Sequence, residues 1–365
     1  MQAVILAAGK GTRMYPMAIN KPKPLIEVAN KPVLEHTLDQ MLGLIEEVVI
    51  IVGYKKDMII ERFGDNYKGM KITYVVQEEQ KGTGHAVSMA REFVKEKFLV
   101  LNGDDLFSRK DMENISKYNN CILVKYKEDP SAFGAVVVKE GKVIDIVEKS
   151  KELVSNLVNA GMYCFSLGVF EILENLEPSI RGEYELTDAV KILASQGEMY
   201  YEEVKGYWIP VGYPWHIIEA TEKLLEEREE VSIRGSLESG VIVDGSIDIG
   251  ESSIVGEGTL LQGTVVVGKN CKIGRSCKIK GFSAIGERAV IEDGVELEDV
   301  IVGAGARIGA GCVIRDSVLG EGSIVSSGVK IDNKNCGCKK NGGKGVYVGD
   351  DCKVGDEFEE GVAVD

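Results

Sequence analysis

The stretch from Val4 to Pro16 brings together residue types that suit the binding of a phosphate chain. It reads VILAAGKGTRMYP, an apolar run followed by two glycines, a lysine and an arginine. Backbone amides in a tight glycine turn after a strand can point at phosphate oxygens. Lys10, Arg13 and the later Lys23 add positive charge in a chain whose net charge is −15. Because an acidic protein must gather positive charge locally to bind an anion, this cluster predicts a nucleoside triphosphate site.

Two well-known phosphate loops fit this stretch less well. The dinucleotide pattern G-x-G-x-x-G finds Gly9 and Gly11 but meets Met14 in the third glycine position. The Walker loop needs a Gly-Lys-Ser/Thr ending, which GKGT does not provide. A plain structural turn is the alternative, although it would need the glycines and not the two cations beside them.

Residues 1–230 alternate short β-rich runs with helical stretches. The predicted strands are AVILA, EVVIIVG, KITYVVQ, FLVLNGD and NCILVKY. The predicted helices are PVLEHTLDQMLGLI and GTGHAVSMAREFVKEK, with a junction helix over residues 214–230. This order implies parallel βαβ units, in which ligands bind outside the carboxyl ends of the strands.

Residues 231–365 show a different, periodic pattern. An aliphatic residue recurs every six positions from Val243 to Leu297, and one-residue slips then reset the register at Val302 and Leu319. A fixed period of this kind predicts stacked repeats, with three hexads forming one triangular coil and glycines at the corners. The pattern resembles the hexapeptide-repeat left-handed β-helix.

LAAGKGTRM followed by KPKPLIEV resembles the sugar-1-phosphate nucleotidylyltransferases. The resemblance continues in the family's order through QEEQKGTGHAV, VLNGDD, AFGAVVV, IVEKS, VNAGMYCF and GEYELTDAV, and on into the hexads. It is most similar to the bifunctional N-acetylglucosamine-1-phosphate uridylyltransferase/acetyltransferase type and its archaeal relatives. The resemblance implies an α/β fold with a Rossmann-like nucleotidyltransferase domain over residues 1–230 and a left-handed parallel β-helix over 231–365.

The reaction implied by the resemblance moves a nucleotide from UTP or dTTP to N-acetylglucosamine-1-phosphate or glucose-1-phosphate and releases pyrophosphate. Arg13 and Lys23 would be catalytic, Arg13 on the leaving pyrophosphate and Lys23 on the α-phosphate or the sugar phosphate. The nucleotide-binding residues would be Leu6, Ala7, Ala8, Gly9, Lys10, Gly11, Thr12, Gln77, Gly82 and Thr83. The sugar-binding residues would be Gly134, Glu148, Lys149 and Asn159.

Asp104 follows a predicted strand and would bind the Mg²⁺ that the resemblance implies, with Asp105 beside it as a substitute or assistant. The family usually places a second metal-binding aspartate in a W-x-D-x-G segment. Here that segment reads YWIPVGYPWH, and Pro210 stands where the aspartate belongs. We therefore expect Mg²⁺ to be held by Asp104 and substrate oxygens alone, or turnover to be weakened.

Two roles are possible for the β-helix, and a further interpretation concerns the whole chain. An acetyltransferase on the helix would need a general base, commonly histidine, but no histidine follows His216 and Arg315 lies near the expected place. We therefore expect no acetyl transfer and assign the helix to oligomerisation, as a homotrimer or hexamer. A catalytically weak sugar-nucleotide-binding regulatory subunit is the third interpretation, because of Pro210.

Bulk properties narrow the class further. The 365 residues predict two or three domains, and the net charge of −15 argues against a nucleic-acid surface. The absence of a long apolar run or an N-terminal signal segment predicts a cytoplasmic protein without a membrane partner. The histidines lack metal-ligand spacing, and the Cys336–Cys338 pair is expected to be free thiols rather than a metal site.

Overall fold

The computed structural model describes residues 1–148, 153–226, 231–331 and 346–355, and the backbone of 362–364. The strands up to residue 210 are β1 Gln2–Ala7, β2 Glu27–Val28, β3 Lys31–Pro32, β4 Glu47–Val52, β5 Asn66–Tyr67, β6 Met70–Val76, β7 Phe98–Asn102, β8 Asp105–Phe107, β9 Cys121–Tyr126, β10 Gly134–Lys139, β11 Lys142–Glu148, β12 Leu157–Phe165, β13 Tyr200–Glu203 and β14 Trp208–Pro210. The five strands expected from the sequence correspond to β1, β4, β6, β7 and β9.

The helices are α1 Val33–Met41, α2 Lys56–Phe63, α3 Thr83–Ser88, α4 Arg109–Ile115, α5 Val169–Glu174, α6 Leu186–Ser195 and α7 His216–Leu225, with 3-10 turns at Thr12–Met14 and Lys23–Leu25. The helix expected over 82–97 is much shorter, because several amides beyond Ser88 bond three residues back and form turns instead. The junction helix is α7, and residues 227–230 lie outside the described chain. No helix among the described residues is long and apolar enough to cross a membrane.

A ten-stranded mixed sheet organises the N-terminal part, in the order β10-β11-β13-β9-β12-β7-β1-β4-β6-β5. β1 pairs in parallel with β4 on one side and with β7 on the other, so the chain reverses its winding direction at β1. In the central strands β1, β4 and β7 most residues on both faces are apolar and buried, as in a sheet covered by helices. In such sheets the crevice beyond the carboxyl end of the switching strand is where ligands bind.

The C-terminal strands run in parallel and stack with a constant step. They are β15 Ser232–Ile233, β16 Ser236–Leu237, β17 Ile242–Ile249, β18 Ile254–Val255, β19 Leu260–Val267, β20 Lys272–Ile273, β21 Lys278–Ile285, β22 Val290–Ile291, β23 Glu296–Val302, β24 Arg307–Ile308, β25 Val313–Leu319, β26 Ile324–Val325, β27 Lys330–Ile331, β28 Val346–Val348, β29 Lys353–Val354 and β30 Val362–Val364. Val243 pairs with Leu261, Leu261 with Ile279, and Ile279 with Leu297, which is one partner per three hexads. Their aliphatic side chains form one continuous buried core, so these parallel strands are consistent with a β-helix.

The one-residue slips seen in the sequence appear as shortened coils. Ile285 pairs with Val302 across a register irregularity between β21 and β23. At the corner, Gly281 at φ +68 is followed in the next coil by Asp299 at φ +55. The Asp299 carboxylate accepts from the Phe282 amide at 2.9 Å. An aspartate tolerates the left-handed corner because its short side chain bonds to a nearby backbone amide.

Contacts divide the chain into two compact units. The first comprises Met1–Lys10, Pro22–Pro24 and Val33–Pro210. The second comprises Gly11–Lys21, Leu25–Pro32 and Val211–Asp365. Two N-terminal segments and helix α7 thus pack with the C-terminal coils, and the domain boundary at residue 230 stays a prediction.

Candidate active site

Four parallel strands of the first unit end at the same level, and the predicted site residues follow them. Ala7 at the end of β1 pairs with Val52 of β4, which pairs with Val76 of β6, while Leu6 pairs with Asn102 of β7. The chain therefore carries Gly9 and Lys10, Gln77, and Asp104 away from one edge of the sheet. This edge lies at β1, where the winding reverses.

The backbone after β1 is closely packed on one side and open on the other. Ala8 is buried, and a Cβ on Gly53 would lie 2.9 Å from the Ala8 carbonyl oxygen, so only glycine fits there. A Cβ on Gly9, in contrast, would meet no protein atom within 4 Å. Gly9 and Lys10 are exposed. The turn after β1 is therefore packed against the protein at Ala8 and open to solvent at Gly9 and Lys10.

Lys23 and Asp104 form an ion pair at this edge, with the Lys23 ammonium donating to the Asp104 carboxylate. The Lys23 side chain is only 9% exposed, and that of Asp104 is 34% exposed. Lys23 is therefore not a solvent-exposed surface lysine. Its charge is held beside a carboxylate that solvent still reaches.

Asp105 differs from its neighbour because its carboxylate points into the protein. Trp208 Nε1 donates to it at 3.3 Å and Asn102 Nδ2 at 3.4 Å. Burial, together with the Asp104 charge, raises the pKa of Asp105 to about 7. The expectation that Asp105 assists or replaces Asp104 at a metal is therefore not supported by its placement, since its carboxylate is enclosed by its hydrogen-bond donors.

Gln77 follows β6, and its side-chain amide is hydrogen-bonded through its nitrogen. Nε2 lies 3.3 Å from the Gly82 carbonyl oxygen and 2.9 Å from His85 Nδ1. Gly82 has φ +107, and a Cβ there would lie 2.5 Å from the Tyr184 carbonyl oxygen. Glycine is thus required at 82, and helix α3 starts at Thr83 directly after it.

Three of the predicted sugar-binding residues lie together. Gly134 at the start of β10 pairs with Glu148 at the end of β11, and a Cβ on Gly134 would lie 3.0 Å from Glu148 Oε1 and 3.7 Å from Asn159 Cβ. Asn159 Oδ1 accepts from the Gly161 amide at 2.8 Å, and its Nδ2 lies 2.6 Å from the Tyr163 hydroxyl. Lys149, the fourth, lies outside the described residues.

The remaining predicted residues, Gly11, Thr12 and Arg13, belong to the second unit. Gly11 is left-handed at φ +65 and precedes the 3-10 turn that carries Thr12 and Arg13. Arg13 is exposed, and its Cζ lies 5.3 Å from the centre of the Tyr213 ring. Tyr213 stacks on Trp215 with ring centres 4.6 Å apart. The Tyr213 ring thus orients the Arg13 side chain, and the guanidinium stays accessible to solvent.

Sequence reasoning missed two supports of the site. The sequence indicated Trp208 only as the tryptophan of the W-x-D-x-G segment, yet its indole N–H donates to the buried Asp105 carboxylate. Tyr184 clamps the start of α3, since its carbonyl oxygen accepts from the Gly84 amide at 2.7 Å. Both lie about a hundred residues from the groups they hold, so no local pattern pointed to them.

A metal ion would find the partly exposed Asp104 carboxylate at the sheet edge. Among the described residues, no group of three or more histidine, cysteine, aspartate or glutamate side chains could hold a metal. Mg²⁺ is commonly bound by one or two carboxylates together with substrate phosphates and water. Asp104, partly exposed at the carboxyl end of β7, fits that pattern. The Cys336–Cys338 pair lies outside the described residues.

Two family models together match most of the chain. The Nucleotidyl transferase family matches residues 2–227, and the GMPPB C-terminal domain family matches residues 261–359. The bifunctional protein GlmU of Methanococcus maripaludis (strain C7) is 43% identical over 258 residues, which are 70% of this chain and 62% of that protein. The chain therefore matches less than two thirds of the length of that relative.

Two further matches extend over all or nearly all of the matched protein. The UTP–glucose-1-phosphate uridylyltransferase AglF of Haloferax volcanii is 36% identical over 242 residues, 64% of this chain and 100% of AglF. A solved structure of UDP-glucose pyrophosphorylase with UDP-glucose is 25% identical at a TM-score of 0.57, covering 62% of this chain and 99% of that one. The resemblance inferred from the sequence is confirmed, and the chain belongs to the Nucleotidyl transferase family.

Proposed function

We propose that the protein transfers a nucleotide from UTP or dTTP to a sugar-1-phosphate, with N-acetylglucosamine-1-phosphate and glucose-1-phosphate as the first candidates. The observation that carries this proposal is the common edge at which β1, β6 and β7 end. It presents an open glycine turn with Lys10, the Gln77 amide, and the Lys23–Asp104 pair. A phosphate chain, a base and a cation are the ligands that these three groups suit.

The proposed chemistry is an in-line displacement. An oxygen of the sugar-1-phosphate forms a bond to the α-phosphorus, and the bond between that phosphorus and the β,γ-pyrophosphate oxygen breaks. The protein has no covalent work to do, so positioning and neutralisation of charge dominate. Lys10 and Arg13 would neutralise the leaving pyrophosphate, and Lys23 would hold the phosphate being attacked. The role of Arg13 rests on chain continuity with Lys10 and on the family.

Magnesium would be held by Asp104 together with oxygens of the substrates. When bound, the ion would neutralise phosphate charge and orient the triphosphate. Lys23 would then exchange part of its contact with Asp104 for a phosphate oxygen. Its low exposure limits the alternative positions of its ammonium, which favours a fixed phosphate contact.

The sugar would lie against Gly134, Glu148 and Asn159. The Glu148 carboxylate can accept hydrogen bonds from hydroxyl groups, and glycine at 134 leaves room for the ring to approach the backbone. Lys149 would pair with the sugar phosphate.

The test is a pyrophosphate-release assay with purified protein and Mg²⁺. It crosses UTP, dTTP, CTP, ATP and GTP with glucose-1-phosphate, N-acetylglucosamine-1-phosphate and glucosamine-1-phosphate. We expect release with UTP or dTTP that depends on a sugar-1-phosphate. Folded protein that releases no pyrophosphate but binds UDP-sugars in calorimetry would favour the regulatory-subunit interpretation, and Pro210 is the residue that motivates it.

We also propose that the C-terminal coils form a hexapeptide-repeat left-handed β-helix that assembles the chain into a homotrimer or hexamer in the cytoplasm. Support comes from the pairing of β17 with β19 and of β19 with β21 eighteen residues along the chain, and from the continuous aliphatic core. Since no histidine follows His216, acetyl transfer is not part of the proposal. Light scattering coupled to gel filtration tests the assembly, and a monomeric mass would contradict it.

A further inference from the structure

The nitrogen of the Gln77 side-chain amide has two partners in the protein, the Gly82 carbonyl oxygen and a ring nitrogen of His85. Gln77 is 3% exposed, so its amide bonds to protein groups or to a ligand and hardly to bulk water. The Gly82 carbonyl oxygen, 3.3 Å away, can only accept, so the amide atom that faces it is the nitrogen. This contact identifies Nε2 without reference to any ligand.

The second amide hydrogen is directed at His85. Nε2 lies 2.9 Å from His85 Nδ1, and with one hydrogen on Gly82 the other points at this ring nitrogen. His85 Nδ1 must then carry a lone pair, which places the ring proton on Nε2 in the neutral imidazole. Burial, and then the Lys81 charge, lower the pKa of His85, with only Glu79 opposing, which favours the neutral ring.

Both amide hydrogens of Gln77 are therefore committed within the protein. Among the described residues no donor is recorded on Oε1, the other amide atom, which points away from His85. A glutamine amide can in general offer both a donor and an acceptor to a base. The structure leaves it only the acceptor.

An acceptor at this position distinguishes two pyrimidines of equal size. Uracil and thymine present an N–H at N3, whereas cytosine presents a lone pair there. An N–H pairs with the Gln77 oxygen, but two facing lone pairs repel and leave a buried acceptor without a partner. A site of this kind rejects the wrong ligand strongly, because mispairing leaves polar groups unsatisfied.

We propose that His85 is a positioning residue that holds the Gln77 amide with its oxygen toward the base and so selects uracil or thymine triphosphates against CTP. The inference rests on the proposed function, since it needs Gln77 to face the base. His85 does not contact the substrate. Its Nδ1 lone pair accepts a hydrogen bond from Gln77 Nε2, and this bond prevents the Gln77 amide from rotating by half a turn.

The test compares His85→Leu, which removes the acceptor, with His85→Asn, whose Oδ1 takes the place of Nδ1. For each protein, kcat and KM are measured with UTP and with CTP at a fixed sugar-1-phosphate. We expect His85→Leu to lower the UTP/CTP ratio of kcat/KM by about tenfold, mainly through the KM for UTP, as the loss of one hydrogen bond implies. His85→Asn should retain the ratio within about threefold. Because each ratio is taken on one preparation, a reduced folded fraction cancels.

A double-mutant cycle with Gln77→Leu separates the role of His85 from the contact between Gln77 and the base. If His85 acts through Gln77, the double variant should discriminate no worse than Gln77→Leu alone. A lowered ratio in Gln77→Leu with an unchanged ratio in His85→Leu would overturn the role of His85 and leave the base contact intact. An unchanged ratio in both would mean that Gln77 does not face the base. A wild-type protein without turnover on any triphosphate would instead refute the proposed function.

Discussion

The Lys21 ammonium lies 3.4 Å from the Asp350 carboxylate and 3.0 Å from that of Glu321, and the Asp350 side chain is only 4% exposed. Burial alone would lower the pKa of Lys21, but the two carboxylates more than offset it and raise that pKa. Asp350 also accepts from the Glu321 amide at 2.9 Å. The pair ties segment Gly11–Lys21, which carries Arg13, to the last described coils of the second unit.

Replacing Lys21 by methionine should destabilise the protein by about 3 kcal/mol, because it leaves a buried carboxylate without its cation. The free energy of unfolding in urea at about pH 7.5 measures the loss. The double variant Lys21→Met/Asp350→Leu is the control, and it should recover most of the stability. Equal losses in the single and double variants would show that the pair contributes packing alone.

The same variant should have a characteristic pH dependence. Burial raises the pKa of Asp350, and Lys21 opposes that rise, so the pKa should climb further once Lys21 is gone. An acid whose pKa is higher folded than unfolded loses stability as the pH rises through that interval. The deficit of Lys21→Met relative to wild type should therefore shrink between about pH 7.5 and pH 5. A constant deficit over that range would contradict the account.

Asp104→Asn should lower kcat by about 10² to 10³, because it removes the partly exposed carboxylate after β7 that would hold the cation. It also leaves Lys23 without its anionic partner, so a modest loss of stability should accompany it. Pyrophosphate release over a range of Mg²⁺ concentrations is the measurement. Asp57→Asn, an exposed aspartate on α2, is the matched control and should behave as wild type. Wild-type turnover in Asp104→Asn would exclude a metal role.

Pro210→Asp should lower the Mg²⁺ concentration needed for half-maximal turnover by about tenfold, since two carboxylates hold the ion better than one. Pro210 pairs with Asp105 in the β8–β14 ladder, one residue from Asp104, so the new side chain would lie near the proposed ion. Pro210→Asn provides the uncharged comparison. If Pro210→Asp brings no gain at any Mg²⁺ level, the missing aspartate does not limit this protein.

Gly9→Ala should leave the melting temperature within about 2 °C of wild type but reduce kcat/KM for UTP at least tenfold. A Cβ at Gly9 meets no protein atom within 4 Å, so a cost that appears only in turnover must come from a ligand. Gly168→Ala is a suitable control, because Gly168 has an ordinary φ of −58. Unchanged kinetics in Gly9→Ala would place the phosphates elsewhere.

Local patterns predicted much of this structure. The six-residue spacing of aliphatic residues anticipated which coils pair, including the shortened ones, because the inward side chains of a stacked repeat must superpose. The alternation of strands and helices anticipated the parallel core around β1. The placement of Gly9, Gln77 and Asp104 at one edge then follows from parallel pairing alone.

Contacts between distant residues could not be anticipated in the same way. Nothing near Asp105 indicates that the distant Trp208 donates to its carboxylate. His85 is close to Gln77 in sequence, but the residue types alone do not indicate that it contacts the amide nitrogen. The orientation of a polar side chain depends on which donor or acceptor the fold brings within about 3 Å, and that partner has no fixed sequence offset. Residue type was readable from the chain, whereas hydrogen-bond direction was not.

The ion pair between Lys21 and Asp350 joins residues that are far apart in the sequence. At a rate of about 10 residues per second, roughly half a minute separates their emergence from the ribosome. Until Asp350 has emerged, the segment Gly11–Lys21, which carries Arg13, lacks this ion pair. The segment can therefore make its contacts with the later coils only after those coils have been synthesised.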